Sequence, residues 1–161
     1  MRSLSIVLSV AASLLFLTCG GCQTPRAAES APASEKTIKT RGLSLSLHLD
    51  PVPVRLSETR RLEATIRLKN SSPRFVHLEF PTTQRFEMLV RDPAGKLVVQ
   101  WSEDQVFQAA PGYVGVNPGE SVEYHAAFAT RDLQPGKRYI VTVFFPARDD
   151  LKLELPFVPG K

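Results

Sequence analysis

The side chains best suited to acid–base or metal chemistry are the three histidines of the chain, His48, His77 and His125. Each falls on the polar phase of a segment in which apolar and polar residues alternate. None has a second ligand at a metal-binding spacing such as His-x-x-x-His. We therefore interpret all three as surface imidazoles and predict no metal site and no cofactor.

The sequence contains no hydrolase motif: Gly-x-Ser-x-Gly, His-Glu-x-x-His and Ser-x-x-Lys are all absent. Asp149 and Asp150 form the closest approach to a carboxylate pair, but adjacent residues on a strand point to opposite faces. We interpret this pair as part of a charged turn. The sequence thus favours a protein that is not an enzyme and that has no catalytic residues.

Length and composition exclude further structural and functional classes of protein. The chain has 161 residues, 43% of them hydrophobic, and a formal net charge of +4. This hydrophobic fraction excludes wholesale disorder, and the length suits one domain with a tail. The charge is too mild to indicate a nucleic-acid-binding protein.

Residues 1–22 have the pattern of a targeting signal. Arg2 precedes an apolar run over residues 6–18, and a run of about 13 residues is too short for a comfortable membrane span. The small residues that lead to Cys22 resemble the lipobox of bacterial lipoproteins, with Cys19 as the competing cysteine. We predict a lipoprotein-type signal peptide with lipid on Cys22, and an ordinary cleaved signal as the alternative. The protein would then be exported and lipid-anchored to the cell envelope, facing the periplasm or lying at the cell surface.

Residues 23–40 are small and polar and contain prolines, with Ile38 as the one aliphatic residue. Such a segment buries too little apolar surface to order itself, so we predict a disordered tether. The folded domain is then expected over residues 41–161.

From residue 41 onward the hydrophobic period is two, as in Leu43, Leu45, Leu47 and Leu49. Turn residues such as Asn117-Pro118-Gly119 separate the alternating segments. The pattern predicts an all-β protein, an immunoglobulin-like antiparallel β-sandwich of about seven to eight strands. The turn before Tyr139 also resembles the tyrosine turn of immunoglobulin-like sandwiches, in which the phenol bonds to upstream backbone.

Residues 102–118 form a long irregular segment within the domain, and the segment is too apolar for simple disorder. It contains Phe107 and Tyr113 among other apolar residues. Either it folds back to plug one end of the sandwich, which we favour, or it presents apolar groups to a partner.

A series of short motifs runs through the middle of the chain. They are Ile66-Arg67-Leu68-Lys69-Asn70-Ser71-Ser72, Val76-His77-Leu78-Glu79-Phe80, Gln84-Arg85-Phe86-Glu87, Val90-Arg91-Asp92, Gly95, Val99-Gln100-Trp101-Ser102, Phe107-Gln108 and Pro118-Gly119-Glu120. In this order they resemble the intracellular proteinase inhibitor (BsuPI) family, over roughly residues 43–145. Phe86 and Glu87 stand where that family favours Tyr and Asp, and Thr83 where Gly is common.

The resemblance implies a β-sandwich that inhibits a serine proteinase, but it transfers no inhibitory residue. We therefore predict a non-catalytic, proteinase inhibitor-like envelope lipoprotein that binds protein through its loops. The preferred contacts are Phe107 and Tyr113, followed by Thr82 and Arg85. The alternative is an immunoglobulin-like binding or assembly module that is tethered to the envelope and has no inhibitory activity. The expected partner is a protease or another envelope protein, with membrane contact through the lipid anchor and no nucleic acid.

Overall fold

The computed structural model describes residues 34–146 and 148–161, which form ten β-strands and one short 3₁₀-helix, Trp101–Asp104. In chain order the strands are β1 (Glu35–Thr40), β2 (Leu43–Asp50), β3 (Arg61–Asn70), β4 (Val76–Phe80), β5 (Glu87–Arg91), β6 (Leu97–Gln100), β7 (Gly112–Val116), β8 (Ser121–Ala129), β9 (Tyr139–Phe145) and β10 (Arg148–Phe157). No helix within these ranges is long and apolar enough to cross a membrane. The predicted signal peptide and its lipidation residue, Cys22, lie outside the described residues.

The strands form two four-stranded sheets and a two-stranded ribbon. One sheet has the order β1-β2-β3-β8, the other has the order β10-β9-β5-β6, and the ribbon pairs β4 with β7. Every pairing between these strands is antiparallel. The predicted all-β, antiparallel β-sandwich is therefore confirmed, with β1 and β7 added to the strands that the sequence indicated.

Alternation along the strands builds the core between the two sheets. In β2 the four leucines are buried, while Ser44, Ser46 and His48 are half-buried on the outer face. The opposite sheet contributes the buried residues of β9 and β10, among them Val141, Val143, Leu153 and Leu155. Full burial of one such side chain stabilises a fold by about 1.5–3 kcal/mol.

The turn before β9 has the geometry that its sequence predicts. Tyr139 is almost fully buried, and its phenol oxygen accepts a hydrogen bond from the backbone N–H of Gln134 at 3.0 Å. The bond fixes the turn against the core, as in other sandwiches with a tyrosine at this position.

Strand β1 corrects the predicted boundary between tether and domain. Residues 35–40 pair with β2 along their whole length, so the prediction of a disordered tether is wrong for them. Side-chain bonds also tie β1 to β10: Lys36 Nζ donates to the carbonyl of Glu154 at 2.8 Å, and Thr40 Oγ1 donates to Asp150 at 3.1 Å. Backbone pairing and these edge contacts order the segment, with Ile38 as its one side chain packed against the core.

Asn70 joins the ribbon to the first sheet. It is fully buried at the end of β3, and its amide nitrogen donates to the carbonyls of Arg74 and Val116 at 2.7 and 2.9 Å. Its amide oxygen accepts from the backbone N–H and the hydroxyl of Ser72 at 2.9 and 2.7 Å. Because every polar atom of this buried side chain is satisfied, the amide holds β4 and β7 in one orientation on the sandwich.

Candidate functional site

The two predicted contact segments lie side by side at one end of the sandwich. The backbone N–H of Thr83 donates to the carbonyl of Gln108 at 3.1 Å, and the N–H of Gln108 donates to Thr83 Oγ1 at 2.9 Å. The loop after β4 and the loop before β7 therefore form one continuous surface.

Thr82 and Arg85 stabilise the rim of this surface. Arg85 is half-buried, donates through Nη1 to the carbonyl of Thr82 at 2.7 Å, and places its guanidinium carbon 4.9 Å from the centroid of the Phe80 ring. The guanidinium also crosses the backbone of Gly112 so closely that a Cβ there would lie 2.5 Å from Nη2. Both residues are thus held in place by contacts within the chain.

Phe107 and Tyr113, which the sequence treated together, differ in their surroundings. Phe107 is half-buried and its ring centroid lies 5.9 Å from that of Trp101. Tyr113 lies on β7 with 72% of its surface exposed. One side chain therefore packs against the sandwich and the other faces solvent, so the segment plugs the fold at one point and presents an aromatic ring at another.

Tyr113 belongs to an exposed group of rings on the outer side of β4 and β7, formed with Phe75 and His77; we call this group the aromatic face. Phe75 is 59% exposed. The His77 and Tyr113 rings meet edge-on with centroids 4.9 Å apart, and Phe75 stacks on His77 at 6.4 Å. Contiguous exposed apolar patches mark binding sites on soluble proteins, so the aromatic face is a candidate binding surface.

The strand register explains why these rings meet. In β4 the side chains of Leu78 and Phe80 enter the core, which turns His77 and Glu79 outward. His77 stands opposite Gly115 in β7, and Glu79 stands opposite Tyr113. Gly115 has no side chain, so the Phe75 ring lies across it; a Cβ there would come within 2.6 Å of Phe75 Cζ.

A shallow cavity adjoins the aromatic face. It has a volume of 480 Å³ and is lined by His77, Glu79, Phe80, Pro81, Pro111, Gly112 and Tyr113. The His77 imidazole lies 3.8 Å from the carboxylate of Glu79 at its edge. The two prolines restrict the backbone on either side of the cavity, which keeps its walls in place.

Sequence reasoning missed Phe75 and missed the grouping of the three rings. His77 was placed correctly on a polar, outward phase. Phe75 precedes β4 and the pattern gives it no partner, while Tyr113 was assigned to an irregular loop. Only the pairing of β4 with β7, which is a contact between segments distant in sequence, brings the rings together.

Beneath this end of the sandwich, Tyr124 places its ring in a cluster with Phe86 and Phe145, at centroid distances of 5.5 and 5.9 Å. Its hydroxyl is buried without a hydrogen-bond partner among the described residues. Burial raises the pKa of this phenol, because the charged form would lose its hydration, and the nearby positive charge of Arg85 lowers it in part.

The motif residues around Gln84 and Trp101 serve the fold. The buried carboxylate of Glu87 accepts from the backbone N–H of Ser102 at 3.2 Å and from the amide of Gln84 at 3.2 Å. Phe86 stacks on Trp101 with ring centroids 4.4 Å apart. These contacts fasten β5 to the 3₁₀-helix and position the loops that flank the aromatic face.

Thr65, His125 and Glu123 bring a hydroxyl, an imidazole and a carboxylate into a row. Thr65 Oγ1 lies 3.4 Å from His125 Nδ1, and His125 Nε2 lies 3.4 Å from a Glu123 oxygen. The row lies on the outer face of the sheet, where water has access and the strand N–H groups lie in the sheet plane, away from any oxyanion. Glu123 is also engaged by Arg67 at 2.7 Å. We interpret the row as a surface network.

The other sequence candidates for chemistry also lie apart. Within residues 34–146 and 148–161, no three His, Cys, Asp or Glu side chains form a group that could hold a metal ion. Asp149 and Asp150 lie in β10 rather than in a charged turn. A bidentate contact from Arg148 at 2.8 Å lowers the pKa of Asp150, with help from the hydroxyl of Thr40. Asp150 therefore serves in an ion pair at the sheet edge.

One protein family matches most of the folded domain. Residues 53–150, more than half of the chain, match the BsuPI model, which is described as intracellular proteinase inhibitor. The chain therefore belongs to the BsuPI family. The match covers β3 to β9 and the whole aromatic face.

The family description overturns one prediction. It names an intracellular inhibitor and so points to a cytoplasmic protein, and the prediction of an exported, lipid-anchored envelope protein is wrong. That prediction rested on an apolar run and a cysteine within residues 1–22, outside both the described residues and the match. A short compositional pattern is weaker support than a match that extends over most of the sandwich.

No curated protein matches the chain. Among solved structures, β-glucosidase 3B from Thermotoga neapolitana is 18% identical at a TM-score of 0.40, over 79% of this chain and 16% of the enzyme. The yjhA protein from Bacillus subtilis is 15% identical at a TM-score of 0.39, over 78% of this chain and 96% of that protein. The chain thus spans a small fraction of the glucosidase that it partly resembles.

Proposed function

We propose that this chain is a non-catalytic, proteinase inhibitor-like protein that binds a serine proteinase through the aromatic face and the loops beside it. The observation that carries the proposal is the exposure of Phe75 and Tyr113 around His77 on the paired strands β4 and β7. Family membership supports the class of activity, and the aromatic face supplies a surface for it.

Aromatic side chains are favoured as binding anchors because each one buries a large area and loses little conformational entropy. The three rings of the aromatic face already lie in contact, and this packing limits the conformations that they must give up on binding. An inhibitor that is ordered in advance avoids spending binding free energy on ordering itself.

The flanking loops support the same role. The bonds between Thr83 and Gln108 join the loops, and Arg85 fills the space between Thr82 and Gly112. Thr82 and Arg85 are thus proposed to act as a rigid border, with Tyr113 as the central contact. Phe107 supports the surface from below through Trp101.

A titration of the full chain against a panel of serine proteinases tests the proposal. Substrate turnover and the intact mass of the chain are followed together. We expect stoichiometric inhibition of at least one proteinase with the chain left uncut. Binding without inhibition would instead favour the alternative, an immunoglobulin-like binding module, and steady cleavage of the chain would contradict both.

A further inference from the structure

The second feature that suggests a binding role is the free edge of β8. This strand has nine residues, pairs with β3 on one side only, and ends the sheet. Its sequence, Ser-Val-Glu-Tyr-His-Ala-Ala-Phe-Ala, contains no lysine, proline or glycine. Lysine and proline are among the usual means by which proteins protect a free strand edge, and the one charged residue of β8, Glu123, is paired with Arg67 at 2.7 Å.

The alternation of hydrogen bonds between β3 and β8 shows which backbone groups of β8 point to the free edge. The N–H of Asn70 donates to Glu120 at 2.9 Å, and the N–H of Thr130 donates to Arg60 at 3.1 Å. In an antiparallel pair such bonded positions recur at every second residue, so the even-numbered residues of β8 face β3. The N–H and C=O groups of His125, Ala127 and Ala129 therefore point to the free edge.

The space beside this edge is open. A groove of 730 Å³ runs between β8 and β6 and is lined by His125 to Ala129 on one side and by Val98 to Trp101 on the other. Ala127 and Ala129 leave the edge accessible because their side chains are small. On the opposite side of the sandwich, β1 and β10 are joined by the bonds from Lys36 and Thr40.

The groove carries uncompensated negative charge. Glu103 and Asp104, on the 3₁₀-helix, line its far wall, and neither forms an ion pair within the described residues. The two arginines of the groove are already engaged: Arg61 lies 3.8 Å from Glu63, and Arg131 lies 3.3 Å from Asp132. The charge therefore complements a segment that bears lysine or arginine.

We propose that β8 binds an extended, basic segment of a partner protein as an added strand. Backbone bonds to Ala127 and Ala129 supply affinity, as in other cases of strand addition. Glu103 and Asp104 select basic side chains on the segment. The site goes beyond the proposed function, because neither the aromatic face nor proteinase inhibition enters the argument.

The full chain and a capped ten-residue peptide of alternating valine and lysine provide the test. Trp101 is the only tryptophan of the protein and lies in the groove wall, so its fluorescence reports binding directly. We expect saturable binding that an N-methylated version of the peptide loses. A valine–glutamate peptide of equal length should bind at least about tenfold more weakly, because its carboxylates would be repelled by Glu103 and Asp104.

Variants of the chain test the contribution of its own residues to peptide binding. The double variant Glu103→Gln and Asp104→Asn should weaken binding of the lysine peptide by about fivefold. Ala127→Pro removes one outward N–H and leaves the ladder to β3 intact, so it should also weaken binding. Tyr113→Ala should leave peptide binding unchanged, which separates this site from the aromatic face.

The N-methylated peptide keeps the test independent of whether Ala127→Pro folds. Equal affinity for the methylated and unmethylated peptides would overturn strand addition. Equal affinity for the basic and acidic peptides, or no binding of either, would overturn the proposal as stated.

Discussion

The imidazole of His77 meets the phenol ring of Tyr113 edge-on at 4.9 Å, across the pair of strands β4 and β7. Phe75 extends this contact on the other side of the imidazole. The backbone of a paired ribbon thus fixes three exposed rings whose sequence positions span both strands. That arrangement is the basis of the proposed binding surface.

Alanine substitutions at Phe107 and Tyr113 should differ in their effect on the stability of the fold. Phe107→Ala removes a half-buried ring from Trp101 and should lower the free energy of unfolding by about 1–3 kcal/mol. Tyr113→Ala removes an exposed ring and should change it by less than about 0.5 kcal/mol. Urea unfolding of both variants measures the difference. Equal destabilisation by the two substitutions would contradict the division between support and contact.

Gly115→Ala tests how the aromatic face is built. The added Cβ would approach Phe75 Cζ to 2.6 Å and so must displace that ring. Because Phe75 is largely exposed, the ring can move at little cost to stability, and we expect inhibition to weaken while the unfolding transition stays in place.

Gly119→Ala is a poor control, since Gly119 has a φ of +80° that disfavours alanine for a different reason. Val158→Ala, at an exposed position near the C-terminus, is the better match and should change neither property.

Tyr139→Phe tests the tyrosine turn. The substitution leaves the backbone N–H of Gln134 without its acceptor at 3.0 Å and should destabilise the fold by about 1–2 kcal/mol. Tyr113→Phe is the matched control, because the Tyr113 hydroxyl has no such bond in the described residues and its loss should be silent. A Tyr139→Phe variant as stable as the parent chain would show that the hydroxyl contributes nothing.

The Arg148–Asp150 pair predicts a dependence of stability on pH. The folded state lowers the pKa of Asp150, chiefly through the bonds from Arg148, so the folded state holds this proton less tightly than the unfolded chain. The ion pair stabilises the fold at pH values above the ordinary pKa of an aspartate, about 4. This stabilisation is lost as the pH falls below that value and Asp150 becomes protonated. The stability difference between the parent chain and Asp150→Asn should therefore shrink between about pH 5 and pH 2. A difference that stays constant over this interval would exclude the pair as its source.

Much of the fold could be predicted from the sequence because burial in a two-layer sandwich imposes a period of two. The leucines of β2 and the Tyr139 turn are of this kind: local pattern and local turn chemistry determine both. Strand β1 escaped prediction because it is an edge strand with Ile38 as its one aliphatic residue. Its order comes from pairing with β2, which no pattern within residues 35–40 reveals.

The candidate site could be predicted only in part. The four predicted contact residues lie at the same end of the sandwich but differ in burial: Tyr113 is exposed, while Thr82, Arg85 and Phe107 are half-buried. Phe75 was not foreseen, because its place on the surface depends on Gly115 in a strand forty residues later. Contacts between distant segments decide which exposed ring has neighbours, and a single sequence does not encode them in any local period.

The most direct measurement of the central claim compares inhibition constants for a sensitive serine proteinase. The parent chain, the double variant Phe75→Ala and Tyr113→Ala, and the control Val158→Ala would be measured together, after unfolding curves have established that all three fold. Loss of two aromatic anchors should weaken inhibition by about thirtyfold or more, while the control matches the parent chain. Undiminished inhibition by the double variant would contradict the assignment of the aromatic face as the proteinase-binding surface.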